Sequence, residues 1–290
     1  LSSLTERAPA KINLTLHVTG RRADGWHLLE SLVAFSRSGD TLTLAANREL
    51  ALAVNGPGAA HAGGVDDNLV LRAARNFAGR FPGAKLGAFH LTKRLPVAAG
   101  LGGGSSDAGA ALRLLARANG IPLDHSMLFG AAQATGADVP VCLSGRARMM
   151  RGLGEVLGPP LNLPPLVCLL VNPGERLATR DVFSAMKIPP ESKTGFGGHP
   201  KIDQDPAPDA LLAALRKGRN DMEAAACFLA PIIGSVLAVL SAAPGCRLAR
   251  MSGSGATCFG LFKNCRSALR ARKTILRAHP SWWVKACVLN

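Results

Sequence analysis

The densest chemistry in the chain lies in one run, Leu95-Pro96-Val97-Ala98-Ala99-Gly100-Leu101-Gly102-Gly103-Gly104-Ser105-Ser106-Asp107-Ala108. Its glycines clear side chains away, so backbone N–H groups can converge on a ligand. The next residues read as a helix, whose N-terminus adds a positive dipole and unpaired donors. Together these make a phosphate cradle. Ser105 and Ser106 add hydroxyls for a phosphate or a metal. The run is not a Walker loop, because no Gly-Lys-Ser/Thr occurs at the required spacing, and no G-x-G-x-x-G can be laid on it. The plainer alternative is a flexible turn.

Such a cradle must be fed by a strand and closed by a helix. Residues 87–95 read as the strand. Ala108, Ala111, Leu112, Leu115 and Ala118 recur at helical spacing until Gly120 stops them. Upstream, residues 10–19 alternate as a half-buried strand. Ile12, Leu14, Leu16 and Val18 face one way, and Lys11, Asn13, Thr15 and His17 the other. Leu42 and Leu44, then Leu50, Leu52 and Val54, continue the strand pattern. Asp67 is placed to cap a helix carrying Leu69, Ala73, Phe77 and Phe81. Another helix is expected from about Asp124 to Thr135, then a strand in which Val139, Val141 and Leu143 alternate. Asp138 opens that strand, where a carboxylate either accepts a proton or satisfies a turn.

Gly158-Pro159-Pro160 and Pro164-Pro165 mark a linker, dividing a domain at 1–158 from one at 159–290. Leu166–Val171 is a short buried strand. Residues 187–208, with five prolines and three glycines, predict a long mobile loop. Helices around 209–217, 231–243 and 265–277 alternate with strands at 246–251, 256–262 and 282–289. The alternation is irregular, which favours an α+β fold over a doubly wound parallel sheet.

The whole chain has 290 residues, 48% apolar and 18% charged, enough for a full core and too few charges for wholesale disorder. Its net charge is +15. Such a surface attracts anions, whether nucleic acid, acidic membrane or a phosphorylated small molecule. Seven cysteines without a CxxC read as reduced thiols of a cytoplasmic protein. No metal-ligand spacing is present, so no metal-binding side chains are assigned. Leu1-Ser2-Ser3-Leu4-Thr5-Glu6-Arg7 carries no apolar signal core. Residues 224–246 lack charge over a length that could span a bilayer, but Pro231, Gly234, Pro244 and Gly245 interrupt them. A buried helix starting at Pro231 is the expectation.

The run from Leu95 resembles the glycine-serine motif of the GHMP kinase superfamily, in which that loop wraps the ATP phosphates. Ala8-Pro9-Ala10-Lys11-Ile12-Asn13-Leu14 resembles the N-terminal motif of the same family. Met251-Ser252-Gly253-Ser254-Gly255-Ala256-Thr257-Cys258-Phe259 resembles its C-terminal glycine motif, which closes on the first loop. Within the superfamily, three segments look like the 4-diphosphocytidyl-2-C-methyl-D-erythritol kinases of non-mevalonate isoprenoid synthesis. They are Gly20-Arg21-Arg22-Ala23-Asp24-Gly25-Trp26-His27, Gly136-Ala137-Asp138-Val139-Pro140 and Gly218-Arg219-Asn220-Asp221-Met222-Glu223. The resemblance implies a two-domain α+β fold with its site in the interdomain cleft. The N-terminal domain would bind ATP, and the last residues would be able to pack back on it.

The implied reaction is ATP-dependent phosphorylation of the 2-hydroxyl of a CDP-linked methylerythritol. Asp138 is then the general base and Lys11 its electrostatic partner. Residues 96–106 hold ATP, with Mg2+ neutralising its phosphates. Asn13 hydrogen-bonds the acceptor or is simply a polar strand residue. Trp26 stacks on cytosine, His27 bonds its edge and Phe183 covers the other face, or Trp26 and Phe183 are core residues. Thr179 and Leu153 also match acceptor-side positions. The family usually has Tyr at Trp26, Phe at Val33 and Val at Leu153. The partners expected are ATP and a CDP-linked polyol, not nucleic acid or membrane. Two other readings stand beside this one. One is a GHMP kinase for homoserine, a sugar or mevalonate. The other is a nucleic-acid binder using Arg266, Arg270, Arg272, Lys273 and Arg277, although no interleaved aromatics accompany them.

Overall fold

The computed structural model describes residues 3–46, 49–61, 64, 67–195 and 197–290. In chain order the first elements are β1 (Ser3–Asn13), β2 (His17–Arg21), β3 (His27–Ala46), β4 (Ala51–Asn55), α1 (Leu69–Arg80) and β5 (Gly87–Thr92). Then come α2 (Gly103–Ala118), α3 (Ser126–Thr135), α4 (Val139–Ser144), β6 (Arg148–Gly152), β7 (Val156–Pro160), β8 (Leu166–Asn172) and α5 (Thr179–Ala185). The last are β9 (Ser192–Lys193), α6 (Pro208–Lys217), α7 (Glu223–Leu229), α8 (Ile232–Ala242), β10 (Cys246–Met251), β11 (Cys258–Phe262), α9 (Cys265–Ala278) and β12 (Trp283–Leu289). This is the expected α+β mixture.

The chain divides into two compact units. One comprises 1–11, 38–97 and 102–145, and the other 12–37, 98–101 and 146–290. A single break at residue 158 does not describe this division, because β1 and β3 each run from one unit into the other. In the first unit the C-terminal half of β3 pairs antiparallel with β5, which pairs parallel with β4. Helices α1, α2 and α3 cover these strands with a core of Leu42, Leu44, Phe77, Phe89, Leu112 and Leu128. In the second unit the order β10-β11-β8-β12 is antiparallel throughout, and Leu169, Val171, Ile233, Leu240 and Ile275 pack beside it.

Several sequence expectations change. The half-buried strand at 10–19 is broken between β1 and β2, and both faces are buried: Lys11, Asn13, Thr15 and His17 are as enclosed as their apolar neighbours. Several of their polar atoms are met internally, with Thr15 Oγ1 accepting from the Leu32 amide at 3.0 Å, while His17 Nδ1 is buried without a partner. Asn68, not Asp67, caps α1, its Oδ1 accepting from the Val70 amide at 3.0 Å. Residues 139–143 form a helix, not a strand. All five are buried, so alternation there carried no information about facing, and Pro140 fits the first turn. Gly158-Pro159-Pro160 is not a linker but part of β7, paired with β6. Within 187–208, β9 pairs with β2, and His199 Nε2 lies 2.6 Å from Thr15 Oγ1, so side-chain and backbone bonds tie this segment down. Residue 196 lies outside the described residues. The uncharged stretch holds α7 and α8, with Pro231 capping α8. Among the described residues no helix is long and apolar enough to cross a membrane.

Candidate active site

The glycine loop connects β5 to α2 through three left-handed residues, Ala98 (φ 52°), Gly100 (φ 72°) and Gly102 (φ 59°). At Gly100 a Cβ would stand 2.2 Å from the Ser252 carbonyl oxygen, so glycine is the residue that fits. Gly102 caps α2 without any side-chain bond, and the first turn holds no acidic residue. The helix dipole and its leading N–H groups are thus left for an external anion. The two serines differ. Ser105 is half-buried, whereas Ser106 is fully enclosed and donates its hydroxyl to the Pro9 carbonyl at 2.6 Å. Ser106 therefore locks β1 to α2 and does not face a ligand. Ala99 and Leu101 are buried, so only their backbone is available, while Pro96, Val97 and Gly103 are partly exposed and Ala98 and Gly104 are exposed.

The C-terminal glycine motif holds the middle of this loop. Ser252 Oγ donates to the Gly100 carbonyl at 2.9 Å and accepts from the Asn13 amide at 3.1 Å. The Thr257 amide donates to the Ala99 carbonyl at 3.2 Å. Asn220 supports the turn from behind, its Nδ2 donating to the Met251 and Gly253 carbonyls, both at 2.8 Å.

Lys11 and Asp138 meet as expected, with Nζ 2.9 Å from Oδ2. The lysine side chain is 5% exposed and the aspartate 38%. One carboxylate edge is therefore held by a buried cation while the rest remains open to a substrate. Lys11 also runs beside the glycine loop, since a Cβ on Gly102 would touch its Cε at 3.0 Å.

The acceptor-side candidates lie in the second unit. Asn13 is buried and donates Nδ2 to Ser31 Oγ at 2.7 Å. Trp26 is 62% exposed, which removes the core reading. His27 opens β3, and its ring stacks directly on Phe183, with centroids 4.3 Å apart and planes at 11°. One face of Phe183 is thus occupied by His27, not by an opposing base. His27 Nε2 is buried without a partner. Burial, and then the nearby Arg21 charge, lower its pKa below the usual 6.5, so the ring is neutral at pH 7. Thr179 opens α5, with Oγ1 2.9 Å from Ser254 Oγ of the glycine motif. Leu153 sits in the β6–β7 turn, its amide donating to Glu155 at 2.6 Å.

Residues 68–146 match the family described as GHMP kinases N terminal domain, and 209–280 match GHMP kinases C terminal. A 4-diphosphocytidyl-2-C-methyl-D-erythritol kinase from Methylobacterium radiotolerans is 59% identical over 100% of both chains. The chain belongs to the GHMP kinase family. A solved 4-(cytidine 5'-diphospho)-2C-methyl-D-erythritol kinase superposes on this GHMP kinase with a TM-score of 0.77 and 35% identity, over 99% of each chain. The homoserine kinase of Cytophaga hutchinsonii shares the fold, with a TM-score of 0.68, but only 16% identity, over 99% of this chain and 95% of that one.

One charged cluster of this GHMP kinase escaped the sequence reading. Lys93 Nζ lies between Asp40 Oδ2 at 2.5 Å and Asp107 Oδ2 at 2.7 Å, all three nearly fully buried. It underlies the glycine loop, since a Cβ on Gly103 would lie 3.5 Å from Lys93 Nζ. Burial opposes the Lys93 charge, but the two carboxylates outweigh it and raise the pKa. Burial pushes the Asp107 carboxyl up to about 7 against the pull of Lys93, and Asp40 adds to the rise. Asp107 directly follows the paired serines, and that adjacency was the available signal. Asp40 is distant in sequence and gave none.

Proposed function

We propose that this chain transfers the γ-phosphoryl group of ATP to the 2-hydroxyl of 4-diphosphocytidyl-2-C-methyl-D-erythritol. The observation that carries the reading is the Lys11–Asp138 ion pair, with a buried ammonium and a partly open carboxylate beside a glycine-rich helix start. Asp138 accepts the hydroxyl proton as the oxygen attacks. Lys11 holds one edge of the Asp138 carboxylate and offsets negative charge developing on the transferred group. The N–H groups opening α2 hold the nucleotide's phosphates. The 59% identity to a relative of that name supports this acceptor over homoserine, sugars or mevalonate.

Magnesium is part of the proposal. Among the described residues no group of three His, Cys, Asp or Glu side chains could hold a metal. The half-buried Ser105 hydroxyl at the start of α2 would be the protein oxygen offered to an ion brought in by the phosphates. When bound, it neutralises the β- and γ-phosphate oxygens. On the acceptor side, Trp26 supplies a stacking face and His27 Nε2 a buried polar atom awaiting a partner. Asn13 and Thr179 orient the polyol, and Leu153 lines its pocket. The seven free thiols fit a cytoplasmic setting.

The test is ADP release with the CDP-linked acceptor against homoserine, galactose and mevalonate. The reading requires turnover with the first alone. Equal or faster turnover with any other would overturn it.

A further inference from the structure

Two cysteines outside the glycine motifs face each other across the second unit's sheet. Cys168 of β8 and Cys287 of β12 are direct register partners in an antiparallel pair. Opposed residues in such a ladder have Cα atoms about 4.5 or 5.5 Å apart, depending on the hydrogen-bonding type. Both spacings lie inside the range that a disulfide bridges. Cys287 is half-buried and Cys168 fully buried, so of the two residues only Cys287 reaches the surface. Three groups converge on the accessible one: the Cys168 thiol and the Ser36 hydroxyl as hydrogen-bond partners, and the Lys285 ammonium as a nearby charge. We infer that Cys287 and Cys168 form a peroxide-sensitive dithiol, with Cys287 attacking and Cys168 resolving.

The chemistry closes with a hydroperoxide as the oxidant. The Cys287 thiolate attacks the terminal peroxide oxygen. An S–O bond forms and the O–O bond breaks, while the departing alkoxide or hydroxide takes up a proton. The sulfur, oxidised by two electrons, is now a sulfenic acid. Cys168 sulfur then attacks it, forming the S–S bond and breaking the S–O bond, and hydroxide leaves with the Cys168 proton as water. A dithiol reductant reverses the change.

The thiolate-holding contacts agree with this division. The Cys168 hydrogen bond, followed by that of Ser36 and the Lys285 charge, lowers the Cys287 pKa below the ordinary thiol value in spite of burial. Burial first, and then Cys287 itself, drive Cys168 far upward, so it stays a thiol until its neighbour is oxidised. Cys265, exposed at the start of α9, is the built-in comparison.

The wild-type protein is titrated with hydrogen peroxide at pH 7 and its cysteines are mapped by mass spectrometry. Cys287, with Ser36 and Lys285 beside it and Cys168 placed to resolve it, should be consumed at least about threefold faster than Cys265. A Cys168–Cys287 linked peptide that disappears on reduction should account for the loss. In Cys168→Ser, a 1,3-diketone trap should label Cys287 as sulfenic acid, and in Cys287→Ser neither product should form. Because mapping needs only the wild type, a poorly folding variant does not blunt the test. Reaction of Cys265 first, or oxidised Cys287 beside a persistently free Cys168, would overturn the inference.

Discussion

Asp138→Asn keeps the shape of the side chain and removes its charge. Two losses result, on different observables. In catalysis, the carboxamide cannot take the hydroxyl proton, and removing a general base slows turnover by about 10²–10⁴-fold, or roughly 3–5 kcal/mol of barrier. In stability, the buried Lys11 loses its partner. At 2.9 Å the gross attraction is about 6 kcal/mol for an effective dielectric constant of 20, as an upper bound. Asp138 is 38% exposed, so water screens much of that, and about 1–3 kcal/mol of folding stability is the expected loss. ATP affinity should change little if, as proposed, the phosphates rest on backbone groups. Coupled ADP-release kinetics, urea denaturation and calorimetric ATP titration separate the three quantities. Lys11→Met should also cut kcat, and the double variant should lie within about tenfold of the worse single one, since residues acting as a unit are not additive. An Asn variant with kcat within threefold of wild type would refute the base assignment even if its stability fell.

Gly100→Ala places a methyl 2.2 Å from the Ser252 carbonyl oxygen in a left-handed backbone. It should lower the melting temperature and weaken ATP binding more than Gly104→Ala, whose methyl meets only a Leu69 side-chain carbon at 3.4 Å; differential scanning fluorimetry with and without ATP reads both. His27→Ala should relax the preference for a cytidine over a uridine acceptor by about tenfold, as loss of one buried hydrogen bond of roughly 1.4 kcal/mol predicts; an unchanged kcat/KM ratio would remove His27 from base recognition. Asp107 holds its proton more tightly folded, at a pKa of about 7, than unfolded, at 3.8. Between those values the folded state binds more protons, so this group's contribution falls as pH rises, by at most about 4 kcal/mol in total. Asp107→Asn should flatten the denaturation free energy against pH across that window, and identical slopes would show that Asp107 is not the titrating group.

What was legible in the sequence depended on how each residue does its work. The glycine loop could be read because backbone donors need small residues in a row, and rows are visible. Lys11 and Asp138 were named through their motifs, and the 2.9 Å pair then joined two residues far apart in the chain. The helix at 139–144 was misread because a fully buried segment has no polar face from which to take a period. Ser106 looked like a ligand-facing hydroxyl because it stands beside Ser105, but one step along a helix turns a side chain by about 100°. Here that turn is the difference between the half-buried Ser105 and the enclosed bond to Pro9. The Asp40–Lys93–Asp107 cluster was out of reach, since its members come from β3, the segment after β5 and the residue just past the first turn of α2.

The two lysines beside the loop divide its electrostatics in a way that composition hides. Lys93 is buried under two carboxylates, so its cluster is neutral or negative depending on whether Asp107 keeps its proton. It gives an incoming phosphate no net attraction. Lys11 is balanced by a single carboxylate whose other edge is open, and that pairing suits proton handling better than anchoring. On the proposed reading, the net attraction for a polyphosphate comes from the start of α2, whose first turn holds no acidic residue, and from the diffuse field of a chain with net charge +15. A diffuse field raises encounter rates without fixing position, whereas backbone N–H groups on a 16-residue helix fix position without adding a titratable charge. On this division, salt should weaken the approach of ATP more than its final geometry. Side chains at the site are then left free for the acceptor and its proton.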